Sequence, residues 1–126
     1  MPLDILVIDD DPFVAKIVGL CLRSVSRVVV RATADGPAGL RAAASQPPDL
    51  ILLDYDMPTQ DGLETLRQLR AQPETQAVPV VAITGGPPDQ PRCARLIAES
   101  DHYLPKPLEY QSLRGLVQGL LGPAAS

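Results

Sequence analysis

The sequence is poor in aromatic residues, and it has no basic segment. Its 126 residues include no tryptophan, one phenylalanine, three tyrosines and one histidine. The formal net charge is -4, and the lysines and arginines are scattered singly along the chain. Direct binding of DNA or RNA requires a basic surface that neutralises phosphates. We therefore expect no direct contact with nucleic acid.

Long apolar segments and closely spaced cysteines are also missing. No stretch approaches the roughly 20 apolar residues of a membrane-spanning helix. The N-terminus lacks the basic start and the long apolar stretch of a secretory signal. Cys21 and Cys93 fall in helical patterns, so we expect small buried side chains rather than a disulfide or a catalytic thiol. These features favour a cytoplasmic protein without a membrane partner.

The composition is that of one folded domain. Hydrophobic residues make up 45% of the chain and charged residues 21%, a balance typical of globular proteins. No repeat, low-complexity tract or change in composition marks a linker. We expect a single domain over residues 1–122 and a short tail at residues 123–126, with no output domain attached.

Short apolar runs alternate with amphipathic segments along the whole chain. The apolar runs predict five strands, at Asp4–Asp9, Arg27–Arg31, Leu50–Asp54, Pro79–Thr84 and His102–Leu104. The amphipathic segments predict helices, three of them at Ala38–Ser45, Leu63–Arg70 and Arg92–Ala98. This alternation predicts an α/β fold, an open and doubly wound parallel sheet with helices on both faces.

The first and last predicted helices have the clearest apolar faces. The first follows Asp11 as its cap, begins at Pro12 and has an apolar face made of Val14, Ile17, Val18, Cys21, Leu22 and Val25. The last has a stripe that ends at Gly122 and Pro123 and consists of Leu113, Leu116, Val117, Leu120 and Leu121. Both faces are expected to pack against the sheet.

Polar residues that can do chemistry lie at the carboxyl ends of the predicted strands. Asp9 and Asp10 are at the end of the first strand, Asp54 ends the third, Thr84 ends the fourth and Lys106 follows the fifth. Alone, each could be an ordinary cap or turn residue. Doubly wound sheets bind ligands at this edge, so the joint placement predicts one site.

Three carboxylates at one point repel one another unless a proton or a cation is bound between them. Mg²⁺ fits best because it prefers carboxylate and carbonyl oxygens and keeps several waters, and Mn²⁺ is also possible. We expect Asp10 and Asp54 as direct ligands, Asp9 as a direct or water-mediated ligand, and the backbone carbonyl of Asp56 as a further ligand. With one Mg²⁺ and Lys106 the site is neutral, which suits phosphoryl transfer to a carboxylate.

These segments resemble the receiver domains of bacterial two-component response regulators, over essentially the whole chain. The matching segments are ILVIDDDP at Ile5–Pro12, ILLDYDMPTQDG at Ile51–Gly62, VPVVAITG at Val78–Gly85 and YLPKPL at Tyr103–Leu108. The resemblance to the chemotaxis member of the family implies the flavodoxin-like strand order 2-1-3-4-5. It also implies that Asp54 accepts a phosphoryl group from a phosphohistidine on a sensor histidine kinase or a histidine phosphotransfer protein.

The resemblance assigns the remaining site residues as well. Asp9 and Asp10 would be the acidic pair that binds Mg²⁺. Lys106 would contact a phosphoryl oxygen, and its peptide bond to Pro107 would be cis.

A switch is implied for residues at the fourth and fifth strands. Thr84 and Tyr103 would form a switch pair that changes the surface of the fourth helix, fifth strand and fifth helix, and so controls an unknown downstream protein. Asp56 and Gly86 occupy positions that can tune the lifetime of the phosphoryl group. The protein would thus be no enzyme in the usual sense, because it would catalyse its own phosphorylation and dephosphorylation and nothing else.

The segment Gly85–Ser100 departs from the family pattern. Gly85 stands where Ala is common after the switch threonine, and Glu99 with Ser100 replaces a common Gly-Ala pair. Prolines at 87, 88 and 91 are expected to forbid regular helix before Arg92. We therefore expect a shortened or mobile fourth helix.

Two other functions are compatible with parts of the sequence. Asp54 and Asp56 form an Asp-x-Asp pair at a strand end, which resembles the nucleophile and acid of haloacid-dehalogenase-type phosphatases. A degenerate receiver that acts as a phosphorylation-independent scaffold is the other alternative, although all five site residues are present. The sequence also leaves open whether the domain is a stand-alone regulator, a phosphorelay intermediate or part of a hybrid kinase.

Overall fold

The computed structural model of the protein describes residues 2–24 and 27–121, without the side chain of Leu121. Strands and helices alternate along these residues. The strands are β1 (Leu3–Ile8), β2 (Val28–Thr33), β3 (Leu50–Asp54), β4 (Val80–Thr84) and β5 (His102–Pro105). The helices are α1 (Pro12–Cys21), α2 (Gly36–Ser45), α3 (Gly62–Ala71), α4 (Pro91–Glu99) and α5 (Tyr110–Leu121). Val25, Gly122, Pro123 and the rest of the predicted tail lie outside the described residues.

The strands form one parallel sheet in the order β2-β1-β3-β4-β5. This order confirms the predicted doubly wound α/β fold. β3 has the predicted bounds, and the other strands are displaced from theirs by one or two residues. In the register, Ile8 of β1 lies opposite Leu53 of β3, and Thr84 of β4 lies opposite Pro105 of β5. The carboxyl ends of these four strands therefore lie side by side at one edge.

Alternate residues of the central strands face two separate apolar cores. In β1, Ile5 and Val7 pack with residues of α1 and α5, whereas Leu6 and Ile8 pack with residues of α2, α3 and α4. All four side chains are buried. Because both faces of such a strand are covered, its sequence is a continuous apolar run rather than an alternating one.

Capping residues fix where the helices begin. Asp11 caps α1, as predicted, because its carboxylate accepts a hydrogen bond of 2.9 Å from the N–H of Phe13, and Pro12 occupies the first turn. Asp35 and Asp61 cap α2 and α3 in the same way. A carboxylate at this position satisfies a free N–H and interacts favourably with the helix dipole.

The apolar faces of α1 and α5 are narrower than predicted. Val14, Val18 and Leu113 are buried, but Ile17 is 40% exposed and Leu120 is 39% exposed. Each helix contacts the sheet along one strip, so residues at the border of an apolar stripe remain in solvent. The prediction that Ile17 and Leu120 face the core was therefore wrong.

Helix α4 is present, and it extends one residue beyond the predicted range Arg92–Ala98 at either end. At nine residues it is one residue shorter than α1, α2 and α3 and three residues shorter than α5, so any shortening is less than one helical turn. Gln90 caps it by accepting a hydrogen bond of 2.9 Å from the N–H of Cys93. The expected mobility of this helix stays a prediction.

Two expectations from composition can be compared with the described residues. Cys21 and Cys93 are both buried and unpaired, as predicted. Among residues 2–24 and 27–121, the helices are too short or too polar to cross a membrane.

Candidate functional site

Three carboxylates meet at the carboxyl edge of the sheet. Asp54 ends β3, while Asp9 and Asp10 follow the neighbouring strand β1, and each offers an oxygen within 4.8 Å of the others. Asp9 is 4% exposed and Asp54 2% exposed, whereas Asp10 is open to solvent. The structure therefore brings together the acidic cluster that the sequence predicts, with two buried members and one exposed member.

Lys106 reaches this cluster from the end of β5. Its Nζ lies 2.7 Å from Asp9 Oδ2 and 3.4 Å from Asp54 Oδ1. Apart from this ammonium, neither of the two oxygens has a hydrogen-bond partner, although both are buried. The backbone N–H of Lys106 donates to the carbonyl of Thr84 at 3.0 Å, and the bond from Lys106 to Pro107 is cis. One lysine thus faces two buried carboxylates.

Asp9 is held in place by the turn that follows it. The backbone N–H of Asp11 donates to Asp9 Oδ1 at 2.9 Å, and the N–H of Asp9 donates to the carbonyl of Thr33 at 3.0 Å. One oxygen of Asp9 is therefore used by the backbone, while the other points at Lys106. This role of Asp11 is additional to its predicted role as a cap, and the Asp-Asp-Asp run alone does not reveal it.

The electrostatics of the pocket favour a proton or a cation near Asp54. Burial, followed by the nearby charge of Asp9, raises the pKa of Asp54 to about 7, and Lys106 counteracts part of this rise. Burial alone would lower the pKa of Lys106, but its contacts with Asp9 and Asp54 outweigh burial and raise the pKa. At neutral pH the lysine is charged and Asp54 is close to the midpoint of its titration. One ammonium therefore faces three carboxyl groups, and a further cation would be favoured there.

The donor set fits a hard divalent cation. It consists of carboxylate oxygens, and two of them are buried without a hydrogen-bond partner other than the ammonium of Lys106. Mg²⁺ prefers such oxygens and needs an open side for its waters, which exposed Asp10 provides. Both cysteines are buried in helices, and the single histidine, His102, is exposed at β5. Zinc-type ligands are therefore not part of the cluster.

Thr84 and Gly86 lie on the β4 side of the pocket. The Thr84 side chain is 1% exposed, and its hydroxyl accepts a hydrogen bond of 3.0 Å from the N–H of Gly86. A Cβ atom at Gly86 would lie 3.6 Å from both the Thr84 hydroxyl and Asp56 Oδ2. Three of the four residues that the sequence assigns to switching and lifetime, Thr84, Asp56 and Gly86, are therefore neighbours.

Tyr103, the other residue of the predicted switch pair, lies on β5. It is half-buried and packs against the core beneath α2, α3 and α4, opposite Ala82 in the register of β4 and β5. Its place on β5 matches the sequence assignment, and its role as the partner of Thr84 stays a proposal.

The loop between β3 and α3, residues 55–61, is hereafter called the acceptor loop. It contains Thr59 in the left-handed region, with φ 76°, which is unfavourable for a β-branched residue. The loop closes with a hydrogen bond of 2.9 Å from the N–H of Gly62 to the carbonyl of Tyr55. A Cβ atom at Gly62 would lie 2.5 Å from the carbonyl oxygen of Asp54, so glycine is required there. The sequence motif contained Gly62 but not the reason for it.

The fold and the acidic pocket define the class, a doubly wound α/β domain with a carboxylate cluster at the carboxyl edge of its sheet. Comparison with known proteins then identifies the family. The family profile described as the response regulator receiver domain matches residues 5–118. The chain therefore belongs to the response regulator receiver domain family, the receivers of two-component signalling.

Curated relatives are longer than this chain. It is 38% identical over 121 residues to response regulator MprA of Mycolicibacterium vanbaalenii, covering 96% of this chain and 51% of that protein. It is 33% identical over 117 residues to the DNA-binding dual master transcriptional regulator RpaA of Synechocystis, covering 93% of this chain and 48% of that protein. The chain thus spans about half the length of the curated relatives it matches.

Two of the solved structures that the chain resembles are matched along nearly their whole length. One is the receiver domain of sensor histidine kinase PA1611 from Pseudomonas aeruginosa PAO1, with a TM-score of 0.83 and 31% identity over 97% of this chain and 99% of that one. That crystal structure has a magnesium ion coordinated in the active site cleft. Another is a response regulator receiver domain from Methylobacillus flagellatus, with a TM-score of 0.80 and 25% identity over 95% of this chain and 99% of that one.

Proposed function

We propose that Asp54 accepts a phosphoryl group from a phosphohistidine on a sensor histidine kinase or a histidine phosphotransfer protein. The observation that carries this proposal is the pairing of one ammonium, on Lys106, with two buried carboxylate oxygens, on Asp9 and Asp54. A site with surplus negative charge and one lysine is incomplete without a cation, and it is well matched to an incoming phosphoryl group once the cation is bound.

In the proposed reaction an oxygen of Asp54 attacks phosphorus while the bond between phosphorus and the histidine nitrogen breaks. The electron pair of that bond stays on the imidazole, which then binds a proton from solvent. The product is an acyl phosphate on Asp54. Lys106 would contact a phosphoryl oxygen, and the distance of 3.4 Å between its Nζ and Asp54 Oδ1 supports this role.

Asp9, Asp10 and Asp54, with the backbone carbonyl of Asp56, would hold Mg²⁺, or Mn²⁺ in its place. When bound, the cation neutralises the charge that builds up on the phosphoryl oxygens during transfer. The Mg²⁺ in the cleft of the Pseudomonas aeruginosa receiver supports this assignment. Asp9 is fixed for the task by the N–H of Asp11.

We infer that the reaction serves signalling rather than turnover. The domain would catalyse its own phosphorylation and dephosphorylation, and Thr84 with Tyr103 would pass the state of Asp54 to the surface formed by α4, β5 and α5. A downstream protein would read that surface. The chain corresponds to 48% of RpaA, so the DNA binding in that protein's name is assigned to no residue of this chain.

The test uses the purified protein, Mg²⁺ and acetyl phosphate, with intact mass as the readout. The wild type is expected to gain the mass of one phosphoryl group, and Asp54→Asn is expected to gain none. Asp89→Asn is the matched control because this carboxylate is exposed in the segment before α4 and is not part of the acidic cluster, and it should still be phosphorylated. Removing Mg²⁺ with EDTA should abolish labelling.

Other outcomes would contradict the proposal. Equal labelling of wild type and Asp54→Asn would place the phosphoryl group elsewhere. No labelling of the wild type by acetyl phosphate or by a phosphohistidine donor would favour the scaffold alternative. Sustained hydrolysis of a phosphomonoester such as p-nitrophenyl phosphate would favour the phosphatase alternative.

A further inference from the structure

Two arginine–carboxylate pairs join α3 and α4, one at each end of α4. At its start, Arg92 Nε lies 2.6 Å from Asp61 Oδ2, and Arg92 Nη2 lies 3.0 Å from Asp61 Oδ1. At its end, Arg67 Nη2 lies 3.1 Å from Glu99 Oε2, and Arg67 Nε lies 3.4 Å from Glu99 Oε1. Both pairs are bidentate, and this geometry restricts orientation as well as distance.

The two pairs differ in the position of the residue on the α3 side, which is Asp61 in one pair and Arg67 in the other. Asp61 is the last residue of the acceptor loop, and its carboxylate also caps α3 by accepting from the N–H of Glu64 at 3.0 Å. The next residue, Gly62, is hydrogen-bonded to Tyr55 and packs directly against the carbonyl of Asp54. Arg67, by contrast, lies further along α3. The Asp61–Arg92 pair therefore connects α4 to the backbone of the phosphoacceptor, whereas the Arg67–Glu99 pair connects α4 to the body of α3.

The covalent route from the pocket to α4 starts at two adjacent glycines. It runs through residues 85–90, which are mostly exposed and in which Gly85 and Gly86 are followed by Pro87 and Pro88. Hydrogen bonds in this segment join Gly86 to the Thr84 hydroxyl and, at 3.3 Å, the N–H of Gln90 to the carbonyl of Pro87. Glycine backbones sample many conformations. Pro87 and Pro88 restrict the rest of the segment, so Gly85 and Gly86 are where the transmission of a change at Thr84 is weakened.

We propose that the Asp61–Arg92 ion pair couples the phosphorylation state of Asp54 to the position of α4, in parallel with the Thr84 route. This inference rests on the proposed function of Asp54. Phosphorylation shifts the acceptor loop, Asp61 moves with that loop, and the two contacts to Arg92 transfer the shift to the first turn of α4. The Asp61 and Arg92 side chains are 24% and 50% exposed, so the pair adds little to stability. Arg92 is a positioning residue.

Hydrogen exchange of α4, followed by mass spectrometry, measures this coupling. The quantity is the ratio of exchange rates of the amides of residues 92–99 with and without phosphorylation of Asp54 by acetyl phosphate and Mg²⁺. Site-to-site coupling in proteins corresponds to changes of about fivefold or more, and we expect a ratio of this size in the wild type. In Arg92→Gln and in Asp61→Asn the ratio should fall to about half of its wild-type value or less, and the Thr84 route accounts for what remains. Asparagine keeps the helix cap, so Asp61→Asn removes the charge without removing the cap.

Arg67→Gln is the matched control, because it breaks the other pair and should retain the wild-type ratio. The double variant Asp61→Asn with Arg92→Gln should behave like either single variant, because both changes remove the same pair. Intact mass, recorded in parallel, reports how much of each protein is phosphorylated.

Three results would overturn the inference. The first is a wild-type ratio near unity, and the second is a wild-type ratio retained in Arg92→Gln. The third is an equal loss in Arg67→Gln, which would indicate general loosening of α4. In these cases the intact mass still shows a phosphoryl group on Asp54, so the proposed function survives. An unlabelled wild type instead overturns both proposals.

Discussion

The phosphorylation pocket and the α3–α4 face, which is the surface with the Asp61–Arg92 and Arg67–Glu99 pairs, both contain basic and acidic side chains but differ in how these are paired. In the pocket, Lys106 is shared between two buried carboxylates, and burial with the charge of Asp9 raises the pKa of Asp54 to about 7. On the α3–α4 face, Asp61 has a bidentate arginine of its own, and the hydrogen bond from Arg92 lowers the pKa of Asp61. On the α3–α4 face each carboxylate has an arginine of its own, whereas in the pocket three carboxylates share one lysine until a cation is bound.

The largest expected effect comes from removing the positive charge of the pocket. Lys106→Ala should slow labelling by acetyl phosphate about 100-fold or more, because one preorganised charge near the transferred group typically contributes this much. The matched control is Lys16→Ala, since these are the two lysines in the chain and Lys16 contacts the ring of Phe13 on α1. Initial rates from intact mass measure the effect. Equal rates in Lys106→Ala and Lys16→Ala would mean that the pocket charge is not used.

The next effect concerns stability and pH in the absence of Mg²⁺. The folded pKa of Asp54, about 7, lies above its unfolded value of roughly 4. Folding therefore favours the protonated form, and the associated stability is present below pH 4 and is lost as the pH rises to about 7. Asp54→Asn should lack this loss and should be more stable than the wild type at pH 8 by about 2 kcal/mol, allowing for screening at the solvent-open side.

Urea unfolding in EDTA from pH 5 to pH 8 tests this prediction. The difference between wild type and Asp54→Asn should grow over that range, and saturating Mg²⁺ should reduce it because the cation binds the folded state. A constant difference at all pH values would show that Asp54 is already ionised in the folded protein at pH 5.

A kinetic effect is expected at the border of the pocket. Gly86 lies beside Thr84 and Asp56, and a side chain there has ordinary contact distances of 3.6 Å to both. Gly86→Leu should lengthen the lifetime of the acyl phosphate several-fold, because the leucine covers the side from which water attacks. Gly86→Ala should have a smaller effect in the same direction. The decay of the phosphorylated mass after removal of acetyl phosphate measures this, and equal lifetimes in all three proteins would refute the assignment.

The sequence was informative about the pocket because each of its residues follows an apolar strand. Once the alternation of strands and helices predicts a parallel sheet, Asp9, Asp54 and Lys106 must lie at one edge. The same reasoning fails for the α3–α4 face. Asp61 and Arg92 are 31 residues apart, and a charged residue on a helix gives no sign of its partner.

Backbone strain and the width of the buried helix faces could not be predicted from the sequence either. The left-handed φ of Thr59 has no signal in the sequence, because threonine is not a residue that favours this region. Ile17 was assigned to the core on spacing alone, yet it lies at the border of the α1 face and is exposed. Periodicity indicates which side of a helix is apolar, but the width of the buried strip depends on the neighbouring elements.

A smaller effect is expected in the acceptor loop, which connects the two regions. Thr59→Gly should stabilise the protein by about 1 kcal/mol, because glycine adopts a φ of 76° without the clash of a β-branched side chain. The gain is partly offset by the greater freedom of glycine in the unfolded chain. Thr59→Val is the control, since it keeps the branching and should give no gain. Urea midpoints measure both, and a less stable Thr59→Gly would mean that the threonine side chain is needed in the loop.

The smallest effect is expected from the Arg67–Glu99 pair, hereafter the outer pair. It tests whether the paired charges of the α3–α4 face contribute to the free energy of unfolding. Glu99→Gln leaves the Arg67 guanidinium, half-exposed at 50%, free to bind water, so the urea midpoint should fall by less than the rise expected for Thr59→Gly. High salt screens exposed pairs, and in 1 M NaCl the variant and the wild type should coincide. Glu74→Gln, at an exposed residue after α3, should not change the midpoint at either salt concentration. A loss in Glu99→Gln that exceeds the gain in Thr59→Gly and persists in 1 M NaCl would contradict the comparison, because the outer pair would then behave as a buried charge does.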